Sequence, residues 1–494
     1  MTRLPLSLIA HLAGGELQGE DVEVDAVSND TRALRPGSLY VALRGERFDG
    51  HDFIAQAAAQ GAGALLVDHP VESALPQVVV ADTQLALARI AAGLQRDRAG
   101  KVVAITGSNG KTSVKALALA ILERAGQAYS TPGNRNNEIG LPLAVIEAPD
   151  TAEYAVYEMG AGKPGDIAYL TDIARPDVSL VNNIAPAHLE RMGSLLGVAQ
   201  TKGAIYSALP EDGVAVINAD DAFVEYFAGL AKGRRVLRFG LECSADIRAR
   251  NVATGADGSR FTLVTPEGEA QVQLALPGRH NVRNALAATG IALGCGVALA
   301  TIVEGLQAAR PVAGRQVSHT LPSGAVLIDD SYNANPGSLA AAIDTLAATT
   351  RQGWLVLGDM RELGPDGAAL HAAAGTQARQ AGIARLYALG ELSAHAARAF
   401  GEGARVFDTH AALVEALRVD IETAGTRDSG LGTRETQKPD GIAAPGAAVP
   451  SPESRIPSPV ILVKGSRGSA MDRIVTALLP AAPAQSSGGT AHAA

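Results

Sequence analysis

The chain has 494 residues, of which 47% are hydrophobic and only 4% aromatic. This length exceeds what one hydrophobic core supports, so several domains are expected, and the many small apolar side chains are typical of an α/β protein. The formal net charge of −9 argues against general attraction to nucleic acid or to an anionic membrane, so local basic groups must bind any phosphate.

The first residues contain a short apolar stretch, but they predict no secretion signal because Pro5 and His11 interrupt it. No segment reaches the roughly 18 uninterrupted apolar residues of a membrane helix. The two cysteines, Cys243 and Cys295, form no metal-binding pattern. We therefore expect a cytoplasmic protein with no membrane partner, and a monomer.

Residues 1–98 combine turn-rich polar sequence, from Ser28 to Gly50, with a β/α-like alternation after it. A nucleotide-binding module begins at the strand before its phosphate loop, so a separate N-terminal domain is expected to end near residue 98. Its position suggests that it captures a substrate.

A phosphate-binding loop is predicted where the apolar run Lys101–Thr106 gives way to Gly-Ser-Asn-Gly-Lys-Thr. The two glycines permit a tight turn with N–H groups directed at phosphate oxygens, the lysine adds a charge, and the threonine hydroxyl can ligate Mg2+. The loop departs from the full Gly-x4-Gly-Lys-Thr form, because Ile105 stands at the first glycine position. The predicted nucleotide contacts are Gly107, Ser108, Asn109, Gly110, Lys111, Thr112 and Ser113.

A helix must follow such a loop, and Val114, Leu117, Ile121 and Leu122 recur at helical spacing until Gly126. Three further strands, each alternating with helical sequence, indicate a mostly parallel sheet; they lie at Glu153–Glu158, Asp177–Asn182 and Gly213–Asn218. Short alternating strands within residues 236–276 predict an antiparallel extension of this central domain, residues 99–312.

The remaining sequence, residues 313–480, predicts a small doubly wound domain of alternating strands and helices. Its strands are expected at Ala325–Asp329, Trp354–Leu357, Arg385–Leu389 and Val460–Val463. Residues 422–459 hold almost no large apolar side chains and predict a disordered surface insertion, and residues 481–494 predict a disordered tail.

Several polar side chains stand at or beyond strand ends, where α/β sheets bind ligands. Glu158 can hold Mg2+ opposite Thr112, although alone it is as often a solvated strand-end carboxylate. His188 follows the next strand, and a lone histidine is more often structural. Lys202 lies on a predicted helix, and the residues alone indicate a surface lysine. Asparagines around position 281 can read an adenine edge, and Asp330 can accept from ribose or from a Mg2+-bound water.

Taken together these motifs resemble the Mur ligase family, and the resemblance covers nearly everything outside residues 422–459 and the tail. Its matching stretches are Asp30–Arg32, Asp49–Phe53, Thr106–Thr112, Gly133–Gly140, Glu158–Gly160, His188–Glu190, Lys202–Gly203, Gly278–Asn281, Asp329–Asn335, Gly358–Gly364 and Lys464–Arg467.

The resemblance implies an ATP- and Mg2+-dependent ligase of peptidoglycan synthesis, with UDP-N-acetylmuramoyl-tripeptide and D-alanyl-D-alanine as substrates. It implies catalytic roles for Lys111, Glu158, His188, Lys202 and Asp330, and metal binding by Thr112, Glu158, His188 and Lys202, the lysine being carbamylated in the family. Asn281 and Arg315 match nucleotide contacts. Substrate contacts are expected at Ser28, Asp30, Arg32, Gly45, Asn134, Asn136, Asn137, Tyr332, Asn333 and Asn335.

Two other readings stay open. The related ligase that adds the third amino acid would be expected to carry an Asp-Asn-Pro-Arg motif, which this sequence lacks. A P-loop regulatory ATPase that ligates nothing would have no need for Glu158, His188 and Lys202 together.

Overall fold

The computed structural model describes residues 3–45, 47–186, 189–255, 258–349, 351–429 and 458–480, without the side chains of 425–429. The chain divides into two compact units, Met1–Pro311 and Val312–Ala494. Among the described residues, no helix has both the length and the apolar character needed to cross a bilayer.

The first unit begins with a small α/β region whose five-stranded sheet has the order β2-β7-β6-β5-β4. Its strands are β1 (Leu4–Pro5), β2 (Glu16–Gln18), β3 (Glu23–Val24), β4 (Val27–Ser28), β5 (Leu39–Val41), β6 (Ala64–Val67) and β7 (Gln77–Val79), and its helices are α1 (Leu6–Ala13), α2 (Ile54–Ala59) and α3 (Thr83–Arg96). Strands β4 to β7 are parallel and β2 is antiparallel to β7, while β1 and β3 form a separate pair.

The rest of the first unit is built on a nine-stranded sheet of order β16-β15-β14-β13-β12-β11-β8-β10-β9. The strands are β8 (Lys101–Thr106), β9 (Ala128–Ser130), β10 (Tyr154–Glu158), β11 (Val178–Val181), β12 (Val214–Asn218), β13 (Arg235–Gly240), β14 (Ile247–Gly255), β15 (Gly258–Thr265) and β16 (Gly268–Leu274). The helices are α4 (Lys111–Ala125), α5 (Gly140–Glu147), α6 (Asp166–Ala174), α7 (Leu189–Met192), α8 (Leu195–Ser207), α9 (Val224–Leu230), α10 (Arg279–Gly294) and α11 (Leu299–Ala308).

Strand pairing in this sheet follows the sequence prediction. All pairs from β9 to β14 are parallel, and β15 and β16 add the antiparallel extension. Strand β8 is buried on both faces, because Val102 and Ala104 pack into one hydrophobic cluster and Val103 and Ile105 into the other. The predicted mostly parallel sheet is therefore confirmed, with the phosphate-loop strand β8 between β11 and β10.

Helix α4 forms for the reason its sequence suggests. Val114, Leu117, Ile121 and Leu122 are fully or almost fully buried against the sheet, and the helix ends where Gly126 follows it. The predicted order of strand, loop and helix is confirmed.

Residues 1–98 do not stand apart as a compact unit of their own. Helix α3 packs against α5 and α6, and one hydrophobic cluster contains residues from both sides of position 98. The buried Tyr157 hydroxyl donates to Gln95 Oε1 at 3.1 Å across the same boundary. Apolar contacts thus continue from the small sheet into the central one.

The second unit has a six-stranded sheet of order β17-β18-β22-β19-β20-β21, parallel apart from β17. Its elements are β17 (Val317–Thr320), β18 (Val326–Asp330), α12 (Pro336–Ala347), β19 (Gly353–Gly358), α13 (Gly367–Gln380), β20 (Arg385–Leu389), α14 (Ser393–Phe400), β21 (Ala404–Phe407), α15 (His410–Ser429), β22 (Val460–Lys464) and α16 (Asp472–Leu478). The doubly wound prediction is confirmed.

One boundary of the predicted insertion is wrong. Helix α15 continues to Ser429, so the segment predicted to be disordered from residue 422 begins as helix. The buried Ile421 and the partly buried Ala424 pack into the apolar cluster beneath α15, which extends the helix past its last large apolar side chain. Residues 430–457 and the predicted tail 481–494 lie outside the described residues.

Candidate active site

The phosphate loop joins the end of β8 to the start of α4. Gly107 and Gly110 have φ values of 145° and 78°, a region that side chains other than glycine avoid. A Cβ on Gly110 would lie 2.5 Å from Asn182 Nδ2 and 2.6 Å from Asn284 Oδ1. Both glycines are therefore required by the backbone path and, at position 110, by close packing.

Two of the loop amides donate to Asn183, which follows β11. The N–H of Ser108 donates to the Asn183 carbonyl and that of Asn109 to Asn183 Oδ1, each at 2.9 Å. Asn183 at the end of β11 accepts from both amides, and the predicted contacts of Ser108 and Asn109 with phosphate stay a prediction. The amides of Lys111, Thr112 and Ser113 belong to the first turn of α4, where the helix itself offers no acceptor and an anion is favoured.

The side chain of Lys111 folds back onto this loop. Its Nζ donates to the Gly107 carbonyl at 2.8 Å, so the ammonium group lies across the turn. A cation held there, next to a helix N-terminus, matches the requirements of a polyphosphate.

Thr112 and Glu158 meet, as predicted, at the carboxyl edge of the sheet. Glu158 ends β10, which pairs directly with β8, and the Thr112 hydroxyl donates to Glu158 Oε2 at 3.0 Å. The glutamate is only 2% exposed, so it is not a solvated strand-end carboxylate. A carboxylate and a hydroxyl oxygen are the ligands that Mg2+ prefers, and these two residues fit that ion.

Lys115, which the sequence analysis did not select, is the cation next to this carboxylate. Its Nζ lies 3.5 Å from Glu158 Oε2 and donates to the carbonyls of Thr131 and Gly133 at 2.9 and 3.2 Å. It lies one helical turn beyond Lys111 and is 7% exposed. A lysine inside the apolar stripe of α4 was the available signal.

The loop after β9 brings the predicted asparagines to the same place. Asn136 Nδ2 donates to Glu158 Oε1 and to Asn134 Oδ1, at 3.0 and 2.9 Å. Asn137 has a local task, since its Oδ1 accepts from the Gly140 N–H at the start of α5. Both carboxylate oxygens of Glu158 are thus engaged, by Thr112 on one side and by this loop on the other.

A chain of amides links Asn281 to the phosphate loop. Asn284 Nδ2 donates to Asn281 Oδ1, and Asn182 Nδ2 donates both to Asn284 Oδ1 and to the Asn109 carbonyl. The sequence analysis missed Asn182, Asn183 and Asn284, although the first two directly follow a strand that ends at this edge. Asn182 Oδ1 is buried and accepts no hydrogen bond within the described residues, so one acceptor remains available to a water or a ligand.

Lys202 is buried on α8, with 1% of its surface exposed, so the interpretation as a surface lysine is wrong. Burial, together with the Lys111 cation, lowers the pKa of its amine well below the ordinary lysine value, and Asp166 only partly opposes this. The amine is therefore biased toward its neutral form. His188 lies outside the described residues, so its predicted metal role stays a prediction.

The predicted substrate residues of the small sheet share one edge, because β4 and β5 are parallel neighbours. Asp30 forms a bidentate pair with Arg32, at 2.9 and 2.7 Å, and the pair lowers the pKa of the Asp30 carboxyl. Ser28 Oγ accepts from the Asp30 N–H at 3.1 Å. Gly45 closes the turn after β5, with its N–H donating to the Phe48 carbonyl at 2.9 Å.

In the second unit, Asp330 ends β18 and pairs with the buried Lys464 of β22, with Oδ2 and Nζ 2.5 Å apart. Lys464 also donates to the Asn333 carbonyl at 3.1 Å, which fixes the loop after β18. Asn335 Oδ1 accepts from the Ser338 N–H as the N-cap of α12. That cap gives Asn335 a structural function whether or not it contacts substrate.

An aromatic ring with two guanidinium groups follows in the same loop. Arg315 Cζ lies 4.2 Å from the Tyr332 ring centroid and Arg467 Cζ lies 5.7 Å from it. Stacked guanidinium and aromatic planes suit a flat or anionic ligand. Of these residues, the sequence analysis selected Arg315 and Tyr332.

Comparison with known protein families gives three matches along the chain. Residues 23–95 match the Mur ligase family catalytic domain, residues 105–292 the Mur ligase middle domain, and residues 315–429 the Mur ligase glutamate ligase domain. The middle-domain match begins at the phosphate-loop strand and includes Glu158, Lys202 and Asn281.

Comparison with individual proteins extends the similarity over the whole chain. A UDP-N-acetylmuramoyl-tripeptide–D-alanyl-D-alanine ligase of Escherichia coli (strain K12) is 42% identical over 479 residues, which is 97% of this chain and 99% of that protein. The ligase of the same name from Mycobacterium tuberculosis (strain H37Rv) is 34% identical over 97% of this chain and 98% of its own length.

Solved structures agree with the sequence relatives. A crystal structure of MurF from Acinetobacter baumannii superposes with a TM-score of 0.86 at 32% identity, covering 97% of this chain and 99% of that one. MurF ligase from Thermotoga maritima in complex with ADP superposes with a TM-score of 0.75 at 25% identity, covering 92% of this chain and 97% of that one.

Proposed function

The chain belongs to the Mur ligase family, and from that premise we propose that it joins D-alanyl-D-alanine to UDP-N-acetylmuramoyl-tripeptide, with hydrolysis of ATP to ADP and phosphate. The product is the pentapeptide precursor used in peptidoglycan synthesis. The observation that carries the proposal is the hydrogen bond from Thr112 to the buried Glu158 beside the phosphate loop, in a chain of which 97% aligns with a ligase of that name.

The first step activates the tripeptide. One oxygen of its terminal carboxylate attacks the γ-phosphorus of ATP, the bond to the β,γ-bridging oxygen breaks, and ADP leaves behind an acyl phosphate. Lys111 and the first turn of α4 bind and orient the phosphates, as their positions allow. Thr112 and Glu158 would hold Mg2+, with Lys202 and His188 near a second ion; when bound, such ions offset the charge of the phosphoryl group.

The second step forms the amide. The D-alanyl-D-alanine amine, once it has lost a proton, attacks the acyl carbonyl carbon, and phosphate departs with the carbon–oxygen bonding pair. Residues of the Asn134–Asn137 loop would position the tripeptide next to Glu158, and Tyr332, Asn333 and Asn335 would contact the incoming dipeptide. Ser28, Asp30, Arg32 and Gly45 would bind the uridine diphosphate end, and Asn281 and Arg315 would contact the nucleotide.

Lys202 becomes useful once its amine is carbamylated. A neutral amine attacks CO2, loses a proton and becomes a carboxylate-like anion, which can support a metal where an ammonium would repel it. The lowered pKa of the buried Lys202 amine supports this proposal, because it raises the neutral fraction at neutral pH.

We propose that the chain works in the cytoplasm, where ATP and nucleotide-linked sugars are made, and that it works as a monomer. Three functional parts follow: residues 1–98 for the uridine end, 99–312 for ATP and 313–480 for the amine substrate.

The test is release of phosphate from ATP and Mg2+ with UDP-N-acetylmuramoyl-tripeptide, with and without D-alanyl-D-alanine, followed by mass spectrometry of the product. We expect sustained release only with both substrates, and a mass increase equal to D-alanyl-D-alanine minus water. Release that ignores both substrates would favour a regulatory ATPase, and ligation of a single amino acid in place of the dipeptide would favour the ligase that adds the third residue.

A further inference from the structure

Lys115 connects three parts of the active site that the sequence motifs treat separately. It projects from α4, which carries Lys111 and Thr112; its charge faces Glu158; and its hydrogen bonds go to the backbone of Thr131 and Gly133. Those two carbonyls begin the loop whose Asn136 donates to the other oxygen of Glu158. Nucleotide, metal and peptide positions therefore meet at one buried ammonium group.

The distances from Lys115 Nζ distinguish the role of its positive charge from the role of its N–H donors. The Nζ–Oε2 distance of 3.5 Å is long for a hydrogen bond, whereas the distances to the two carbonyls are 2.9 and 3.2 Å. The N–H groups hold the loop, and the charge offsets that of the buried Glu158 carboxylate, which would otherwise be costly in the interior. A dication that binds Glu158 must do so against this fixed positive charge.

We propose that Lys115 is a positioning residue of the ligation reaction: it fixes the Thr131–Asn137 loop for the peptide substrate and weakens the binding of Mg2+ at Glu158. This inference rests on the proposed function. A bound Mg2+ would share Glu158 with the ammonium group, so the ion would be held loosely enough to exchange with each nucleotide. The loop that carries Asn136 would keep its place whether or not the ion is present.

The test compares the wild-type protein with Lys115→Met and with the control Lys101→Met. Lys101 also carries a charge in the first unit, but it lies at the opposite end of β8, half-exposed, 3.6 Å from Asp177. Binding of Mn2+ to the ADP-bound protein is followed by electron paramagnetic resonance, with no turnover required. Michaelis constants for ATP and for UDP-N-acetylmuramoyl-tripeptide are measured in parallel.

For Lys115→Met we expect Mn2+ to bind about three- to tenfold more tightly, because a repelling charge has gone. We expect the Michaelis constant for the tripeptide to rise about tenfold, because two hydrogen bonds from a charged donor to the loop are lost. The constant for ATP should change less than about threefold, since Lys111 and α4 are untouched.

Weaker or unchanged Mn2+ binding in Lys115→Met would overturn the proposal, because a merely loosened site loses metal affinity. An unchanged constant for the tripeptide would overturn the loop-holding part. Should Lys115→Met fail to fold, Lys115→Gln, which keeps a polar donor but no charge, is measured in its place with the same expected direction for Mn2+. Absence of pentapeptide formation by the wild-type protein would instead count against the proposed function.

Discussion

Within the described residues, each compact unit has a buried carboxylate at the end of a parallel strand with a buried lysine beside it. In the first unit, Glu158 and Lys115 are 3.5 Å apart, and neutral donors, Thr112 and Asn136, bind the two carboxylate oxygens. In the second unit, Asp330 and Lys464 are in direct contact at 2.5 Å. In both, the lysine also donates to backbone carbonyls of a nearby loop.

The difference in spacing indicates a difference in task. A metal ion can replace a hydroxyl or amide donor on Glu158 without leaving a buried charge alone. A metal ion that displaced Lys464 from Asp330 would leave a buried ammonium group without its counter-charge, which costs several kcal/mol. We therefore expect Glu158 to accept an ion, whereas Asp330, through Lys464, holds the loop that carries Tyr332 and Asn333.

The largest expected effect follows from removing the metal-accepting carboxylate. Glu158→Gln keeps the size of the side chain and a hydrogen-bonding group but loses the charge, and we expect kcat to fall about a thousandfold, ~4 kcal/mol of barrier. Pentapeptide formation measured by mass gives the rate. A decrease of less than tenfold would mean that Glu158 does not serve the reacting phosphates.

The second expected effect concerns the stability of the second unit, which contains the Asp330–Lys464 pair. Lys464→Met leaves the Asp330 charge buried without its partner and should lower the free energy of unfolding by about 3 kcal/mol. The single tryptophan, Trp354, is buried in β19 of the second unit, so its fluorescence in urea reports on that unit.

A double variant sharpens this comparison. Asp330→Asn combined with Lys464→Met removes both charges and should be more stable than Lys464→Met alone. Additive losses would show that the contact between Asp330 and Lys464 contributes nothing of its own.

A smaller effect should appear when the pH is lowered. His371 in the second unit is buried, donates through Nδ1–H to the Gly367 carbonyl and accepts the Met360 N–H at Nε2. Burial, the largest cause, lowers the pKa of its imidazole, so the folded state takes up a proton less readily than the unfolded chain. The stabilisation that depends on a neutral His371 is fully present above the ordinary histidine pKa of about 6.5. It is lost progressively as the pH falls from there toward the lowered pKa of the buried imidazole.

We therefore expect Trp354 fluorescence to report an unfolding free energy about 1 kcal/mol lower at pH 5.5 than at pH 7.5. His371→Gln, which preserves a donor and an acceptor, should reduce that difference. An equal pH dependence in wild type and variant would assign the acid sensitivity to other groups.

The smallest effect concerns the two cysteines of the first unit. Cys243 is exposed, whereas Cys295 is partly buried, and burial raises the pKa of its thiol to about 12. In the folded protein at pH 8, a thiol reagent should modify Cys243 rapidly and Cys295 far more slowly, with no change in ligation rate. Equal rates would contradict the packing around Cys295.

The sequence predicted the strands and helices better than it predicted which side chains contact each other. Strand β8, helix α4 and the antiparallel β15 and β16 follow from hydrophobic periodicity, which is a local property. The meeting of Thr112 with Glu158 followed from strand ends sharing one edge of a parallel sheet. These predictions needed the order of elements and little else.

Long-range packing decided the rest. Nothing local distinguishes Lys202 from a solvated helix lysine, and the local signal for Lys115 is limited to its place in the apolar stripe of α4. The burial of both depends on loops and helices far away in the sequence. The contacts of the Ser108 and Asn109 amides with Asn183 could not be predicted for the same reason, since Asn183 reaches them only once β11 lies beside β8. Helix α15 is longer than predicted, because even a small residue such as Ala424 can pack against a neighbouring cluster that is already apolar.

The most direct test of the account is metal binding at Glu158. Mn2+ binding to the ADP-bound protein, followed by electron paramagnetic resonance, should weaken at least about tenfold in Glu158→Gln, because an anionic ligand is lost. The corresponding Asp330→Asn variant should bind Mn2+ as the wild type does. Equal affinity in wild type and Glu158→Gln would contradict the claim that the more open of the two lysine–carboxylate pairs is the metal site.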